Sequence, residues 1–117
     1  MAGEIKALED EIALFCAERE WDSFHGNKDL AAAIAIEAAE LQDAFLWNRT
    51  ATMVEIREEL ADIFIYAFRM AERNGLDVSE IVREKLKVNA VKYPVEKCRG
   101  IANKYTKLSG EGCKNGG

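Results

Sequence analysis

Proline and glycine are nearly missing from most of this chain. Of 117 residues one is proline, Pro94, and only Gly26, Gly75 and Gly100 interrupt the stretch between residue 4 and the tail. Both residue types break regular structure, so long stretches are left intact, and apolar residues recur in them at helical spacings of three and four. No strand alternation, repeat or second domain is visible. The chain therefore reads as all-α, one domain over 1–108 with a flexible tail over 109–117. Histidine is scarce too: His25 is the only one, which removes the Glu-x-x-His pairs of a di-iron bundle. Cys16, Cys98 and Cys113 are odd in number and lack CxxC spacing, so neither a disulfide framework nor a zinc site is indicated and a reducing cytoplasm fits. No apolar run reaches membrane-spanning length, and Met-Ala-Gly-Glu-Ile-Lys is no signal peptide, so no membrane partner is expected.

Positive charge is short in the middle of the chain. The net charge is −5, and Glu37, Glu40, Asp43, Glu55, Glu58, Glu59 and Asp62 outweigh Arg49 and Arg57 by that same amount. From Val95 onward five basic residues face Glu96 and Glu111. An acidic middle argues against a nucleic-acid polymer as partner and admits a polyanion only through a bridging cation.

The helical periodicity predicts four helices. The first covers about 4–19, with Ile5, Leu8, Ile12 and Phe15 as its apolar stripe. After the segment Trp21–His25, the second covers about 28–46, with Asn27 as cap and Leu30, Ile34, Leu41 and Phe45 inward. Thr52 and Glu55 have capping-box spacing ahead of a third helix over about 53–73, which stops at Asn74-Gly75. The fourth runs from about Ser79 to 92 and is closed by Pro94. This is a four-helix bundle-type subunit. Between Leu60 and Ala71 only Asp62 and Arg69 are charged, and a helix apolar nearly all round needs cover on every side. A homo-oligomer, dimer or tetramer, supplies it.

Four carboxylates stand within these helices as Glu37-x-x-Glu40 and Glu59-x-x-Asp62. Their spacing proves nothing: roughly four such pairs arise by chance at this acid content, and the chain has five. Register separates them. Glu37 shares a stripe with Ile34 and Leu41, Glu40 a face with Ile36 and Ala44, and Glu59 a face with Ile56, Ile63 and Tyr66. If the second and third helices pack antiparallel, the two pairs converge. Two readings stand at this point: solvated or salt-bridged acids, or a divalent metal site. Oxygen-only ligands without an EF-hand loop make the metal magnesium, with manganese as substitute.

These residues, followed by Lys85-x-x-x-Asn89-x-x-Lys92-Tyr93-Pro94, resemble the MazG-like all-α nucleoside triphosphate pyrophosphohydrolases. Phe15-Cys-Ala-Glu-Arg-Glu-Trp-Asp-Ser-Phe-His25, Phe45-Leu-Trp47 and Asn103-Lys-Tyr-Thr106 are similar to the short dCTP-pyrophosphatase-like branch. The resemblance covers about residues 5–107. It implies cleavage between the α and β phosphates of a (deoxy)nucleoside triphosphate, dCTP or a related one. It further implies Mg²⁺ on Glu37, Glu40, Glu59 and Asp62, and a base pocket using Trp21, His25, Trp47 and Tyr66 in a multi-subunit assembly. Ile12 is a departure, since relatives in this branch can have a histidine there, and this bears on base or sugar preference.

The residues themselves fit such roles. Acids bind a triphosphate only where metal reverses the local sign. Lys85, Lys92 and Lys104 then suit the outer phosphates as point charges, with Asn89 as a hydrogen-bond donor; the plainer reading of the lysines is a solvated helix face. One glutamate, Glu37 or Glu40, serves as general base. Trp21, Trp47 and Tyr66 suit stacking on a base or, more plainly, core packing. The competing function is a nucleotide-sensing or regulatory helical module without turnover.

Overall fold

Among the described residues, five helices account for nearly all the regular structure. In chain order they are α1 (Glu4–Glu18), α2 (Asn27–Asp43), α3 (Met53–Arg73), α4 (Val78–Lys92) and the short α5 (Val95–Cys98), with 3₁₀ turns at Asp22–Phe24 and Leu46–Asn48. The computed structural model describes residues 3–101, and among them there is no strand. The tail 109–117, Lys104 and the Asn103–Thr106 segment lie outside the described residues.

Local chemistry sets both ends of α3. At its start Glu55 N–H donates to Thr52 Oγ1 at 3.2 Å while Thr52 N–H donates to Glu55 Oε1 at 3.1 Å, a complete capping box. Arg49 reinforces it, with Nη2 at 2.6 Å from both Glu55 oxygens and Nη1 donating to the Ala44 carbonyl at 2.8 Å. That arginine ties the end of α2 to the start of α3. At the far end Gly75 takes φ +66°, and the Gly75 and Leu76 N–H groups fold back to the carbonyls of Glu72 and Ala71. This is a Schellman stop, which glycine adopts without steric cost.

The start of α2 corrects one expectation. Gly26, not Asn27, occupies the cap position. The Asn27 amide is instead used in a reciprocal pair with Asn74, at 3.0 and 2.7 Å. The first turn of α2 is thereby fastened to the last turn of α3, which makes the two helices antiparallel. α2 also ends earlier than the periodicity predicts, at Asp43, and Phe45, expected inside, is 47% exposed. Phe45 departs from helical geometry at φ −108°, ψ 3°, and in the 3₁₀ turn that follows Trp47 takes φ +60°, ψ +38°, a left-handed conformation costly for a bulky residue.

The chain divides into two compact units, Met1–Val78 and Ser79–Gly117. In the first, α3 packs chiefly on α2 and more sparingly on α1. Leu30 is its most deeply buried large side chain, joined by Ile12, Cys16, Ala44, Ala51 and Ala71. The expected α1 stripe is only partly internal. Ile12 is buried, whereas Leu8 and Phe15 border an open apolar groove of about 650 Å³ with Phe64, Ile65 and Phe68 of α3. Glu9 is buried and accepts the Val78 N–H at 3.3 Å.

The second unit holds most of α4 and α5, where Pro94 begins a further helical turn in place of a plain stop. Lys85, Leu86 and Asn89 share one α4 face with Ile81 and Val82. Cys16 is a free buried thiol, whereas Cys98 is disulfide-bonded, which corrects the expectation from cysteine number and spacing that no disulfide is indicated. No helix among the described residues is long and apolar enough to cross a membrane.

Candidate functional site

The antiparallel pairing of α2 and α3 brings three of the four carboxylates together. One oxygen each from Glu37, Glu40 and Glu59 lies within 4.8 Å of the others. Glu37 and Glu59 are half-buried and Glu40 is exposed, so the cluster has an inner floor and an open side. Oε2 of Glu37 and Oε2 of Glu59 are both buried without any hydrogen-bond partner. An orphaned buried acceptor is costly, and two on neighbouring acids are more so.

Asp62 falls outside that tight group and lies beside it. Its charge acts on both Glu37 and Glu59, and its side chain lines the neighbouring pocket. Burial is the largest influence on Glu37, followed by the Glu40 carboxylate and then by Asp62 and Glu59; together they push it up to about 7. Burial also raises Glu59, with Glu40 next. The cluster therefore resists full ionisation by itself. A hard divalent cation bound to oxygen ligands removes both the repulsion and the missing partners, so Glu37, Glu40 and Glu59, with Asp62 alongside, fit a metal of the magnesium class.

Against this cluster lies a pocket of about 220 Å³ lined by Phe15, Cys16, Trp21, His25, Asp62, Ile65, Tyr66 and Arg69. Its aromatic wall is a chain of edge-on contacts. Phe15 and Trp21 stand 5.8 Å apart, Trp21 and His25 6.1 Å, and His25 and Tyr66 6.5 Å between ring centres. Such rings offer faces and edges to a flat ligand. Burial and then the Glu37 charge keep the Tyr66 hydroxyl protonated above its usual range. Asp62 belongs to both the acidic cluster's field and the pocket wall, so the acids and the rings adjoin.

The other candidates are placed differently. Trp47 is 95% exposed and does not line this pocket. Lys85 and Asn89 edge a shallow recess on α4, one helical turn apart, and Lys92 closes that helix. Arg69 was not singled out from the sequence as a site residue, yet it is buried at the pocket floor. A lone cation in an apolar helical stretch, with acids on flanking segments, is the signal that identifies it.

Comparison with known proteins identifies the family. A model of the MazG-like family matches residues 32–108. The dCTP pyrophosphatase 1 of Rattus norvegicus is 36% identical over 106 residues, and that of Homo sapiens 32%. Each match covers 82% of this chain, and the chain spans 62% of the length of these relatives. Among solved structures, a pyrophosphatase from Archaeoglobus fulgidus superposes with a TM-score of 0.74 at 31% identity, over 80% of this chain and 95% of that one. Two of the family's matched helices carry the acidic cluster, and by that match the chain belongs to the MazG-like family.

Proposed function

We propose that this chain hydrolyses (deoxy)nucleoside triphosphates, dCTP or a close relative, to the monophosphate and pyrophosphate, with Mg²⁺ as cofactor. The observation that carries the proposal is the acidic cluster with its two buried, unpartnered oxygens, set beside an aromatic pocket. Membership of the MazG-like family and likeness to proteins named dCTP pyrophosphatase 1 support the reaction and the base. Clearing surplus or aberrant deoxynucleotides from a cytoplasmic pool is the role such an activity suits.

Glu37, Glu40, Glu59 and Asp62 would hold the metal, Mn²⁺ substituting. When bound, such an ion polarises a phosphoryl group and offsets the charge of the departing pyrophosphate. The chain's own groups do the rest. Glu37, on the half-buried floor of the cluster, or Glu40, on its open side, takes the proton of the attacking water. Trp21 and Tyr66 bracket the base and His25 meets its polar edge. Lys85, Asn89 and Lys92 neutralise and orient the outer phosphates.

The working form is a homodimer or homotetramer. Apolar side chains exposed on α3, among them Phe64 and Ile65, and on α4, among them Leu86 and Val91, support that reading. So does Trp47: fully exposed in a strained left-handed turn, it suits closing the base pocket of a neighbouring copy.

The test is a panel of deoxynucleoside triphosphates assayed for pyrophosphate release with and without Mg²⁺. Turnover in Mg²⁺ alone, fastest with cytosine nucleotides, is expected. No turnover of any triphosphate would return the chain to the class of nucleotide-sensing modules.

A further inference from the structure

Arg69 lines the pocket and has no part in the proposed chemistry, yet it is a buried side chain bonded to three different residues. It is 2% exposed, and its guanidinium serves three partners. Nη2 donates to Asp22 Oδ1, Nη1 to Glu72 Oε2 at 2.6 Å, and Nε to Nδ1 of His25 at 3.1 Å. A guanidinium has five donors, no acceptor, and does not deprotonate in proteins. Nδ1 of His25 must therefore present its lone pair, which places the single ring proton on Nε2.

Other charges around the ring agree. Asp22 and Glu72 balance Arg69, Asp29 and Arg73 act on the ring with opposite signs, and the adjoining Cys16 and Tyr66 are held neutral. A second ring proton would set imidazolium N–H against guanidinium N–H. Burial and then the Arg69 charge both lower the His25 pKa.

We propose that Arg69 is a positioning residue that locks His25 as the neutral Nε2–H tautomer, giving the pocket a fixed hydrogen-bond donor for an acceptor atom on a nucleobase edge. The inference rests on the base-pocket reading for its ligand and stands on geometry alone for the tautomer. A base that offers a carbonyl oxygen or an unprotonated ring nitrogen satisfies this donor. One that offers N–H there leaves two donors facing each other and is rejected. Asp22 holds the lock from the loop side, where the Arg73 guanidinium also reaches its backbone carbonyl at 3.4 Å.

Because His25 is the only histidine, histidine-selective ¹⁵N labelling of the full chain reports one imidazole. At neutral pH without nucleotide, a pyridine-like Nδ1 and a pyrrole-like Nε2 are expected. Arg69→Lys, whose point charge cannot span three partners, should blend the two signals toward a tautomer mixture. It should also raise KM about three- to tenfold with little change in kcat. Asp22→Asn, on a half-exposed loop side chain, should move the signals the same way by less and keeps the test open if Arg69→Lys folds poorly. A protonated Nδ1 or an imidazolium in the wild type overturns the proposal, as do signals unmoved by both substitutions. Added dCTP with Mg²⁺ should shift Nε2 more than Nδ1. If the tautomer is as stated and no deoxynucleotide moves Nε2, the donor role is overturned together with the base-pocket reading, while the Arg69 lock is upheld.

Discussion

Glu37 sits where burial and its carboxylate neighbours raise its pKa from 4.5 to about 7. Across that window the folded chain keeps a proton that the unfolded chain has released. Without metal, the fold is therefore expected to lose stability as pH rises through it. Glu37→Gln removes the titration, so its melting temperature in EDTA should fall less between about pH 5 and 7 than that of the wild type. Equal falls would mean that Glu37 carries no such burden. Metal binding must displace the same proton. Mg²⁺ affinity should then weaken as pH drops below about 7, by up to about tenfold per pH unit, with proton release visible by calorimetry in buffers of different ionisation enthalpy. Glu40→Gln and Asp62→Asn should each abolish turnover while leaving helical circular dichroism intact. Full activity in either variant would remove that residue from the metal centre. Residue identities such as Glu37 and Glu59 were legible in sequence because charge interrupted an apolar register. The lone charge of Arg69 was visible as well, but its role was not, because its three partners come from the Trp21–His25 segment and from its own helix, and only folding assembles them.

Among the elements, the α2–α3 hairpin positions the site, and its fastenings are local. Thr52→Ala removes the side-chain half of the capping box and should cost about 1 kcal/mol, read as a lower denaturant midpoint. Leu30→Ala empties the deepest core position of α2 and should cost about 2–5 kcal/mol. A loss under about 1 kcal/mol would mean that the neighbouring helices close over the gap. Arg49 and Thr52 hold the Glu55 carboxyl down near 2. That pair's contribution should be fully present above the ordinary carboxylate range and fade only in strong acid. The α3 boundaries were readable because box and Schellman stop are written in adjacent residues. The end of α2 was not, since no glycine, proline or capping residue marks the exit at Ala44 and Phe45, and the left-handed turn beyond it falls on Trp47, which has no local preference for it. The cap of α2 was misread for a related reason: Asn27 binds across to Asn74, forty-seven positions away, rather than to its own first turn.

At the scale of the whole molecule, the all-α class followed from the missing breakers and the helical period, and five helices without strands among the described residues agree with it. How the apolar faces of α3 and α4 are covered is not written in one chain, because the cover proposed for them is a second copy. Sedimentation should therefore give a particle of two or four chains, and a monomer at assay concentration would separate activity from assembly. The carboxylate cluster as a metal-dependent triphosphate site is tested most directly by a phosphorus NMR time course of dCTP with the full chain. In Mg²⁺ the expected products are dCMP and pyrophosphate, with no reaction in EDTA. Release of orthophosphate and dCDP, or turnover undiminished by EDTA, would contradict it.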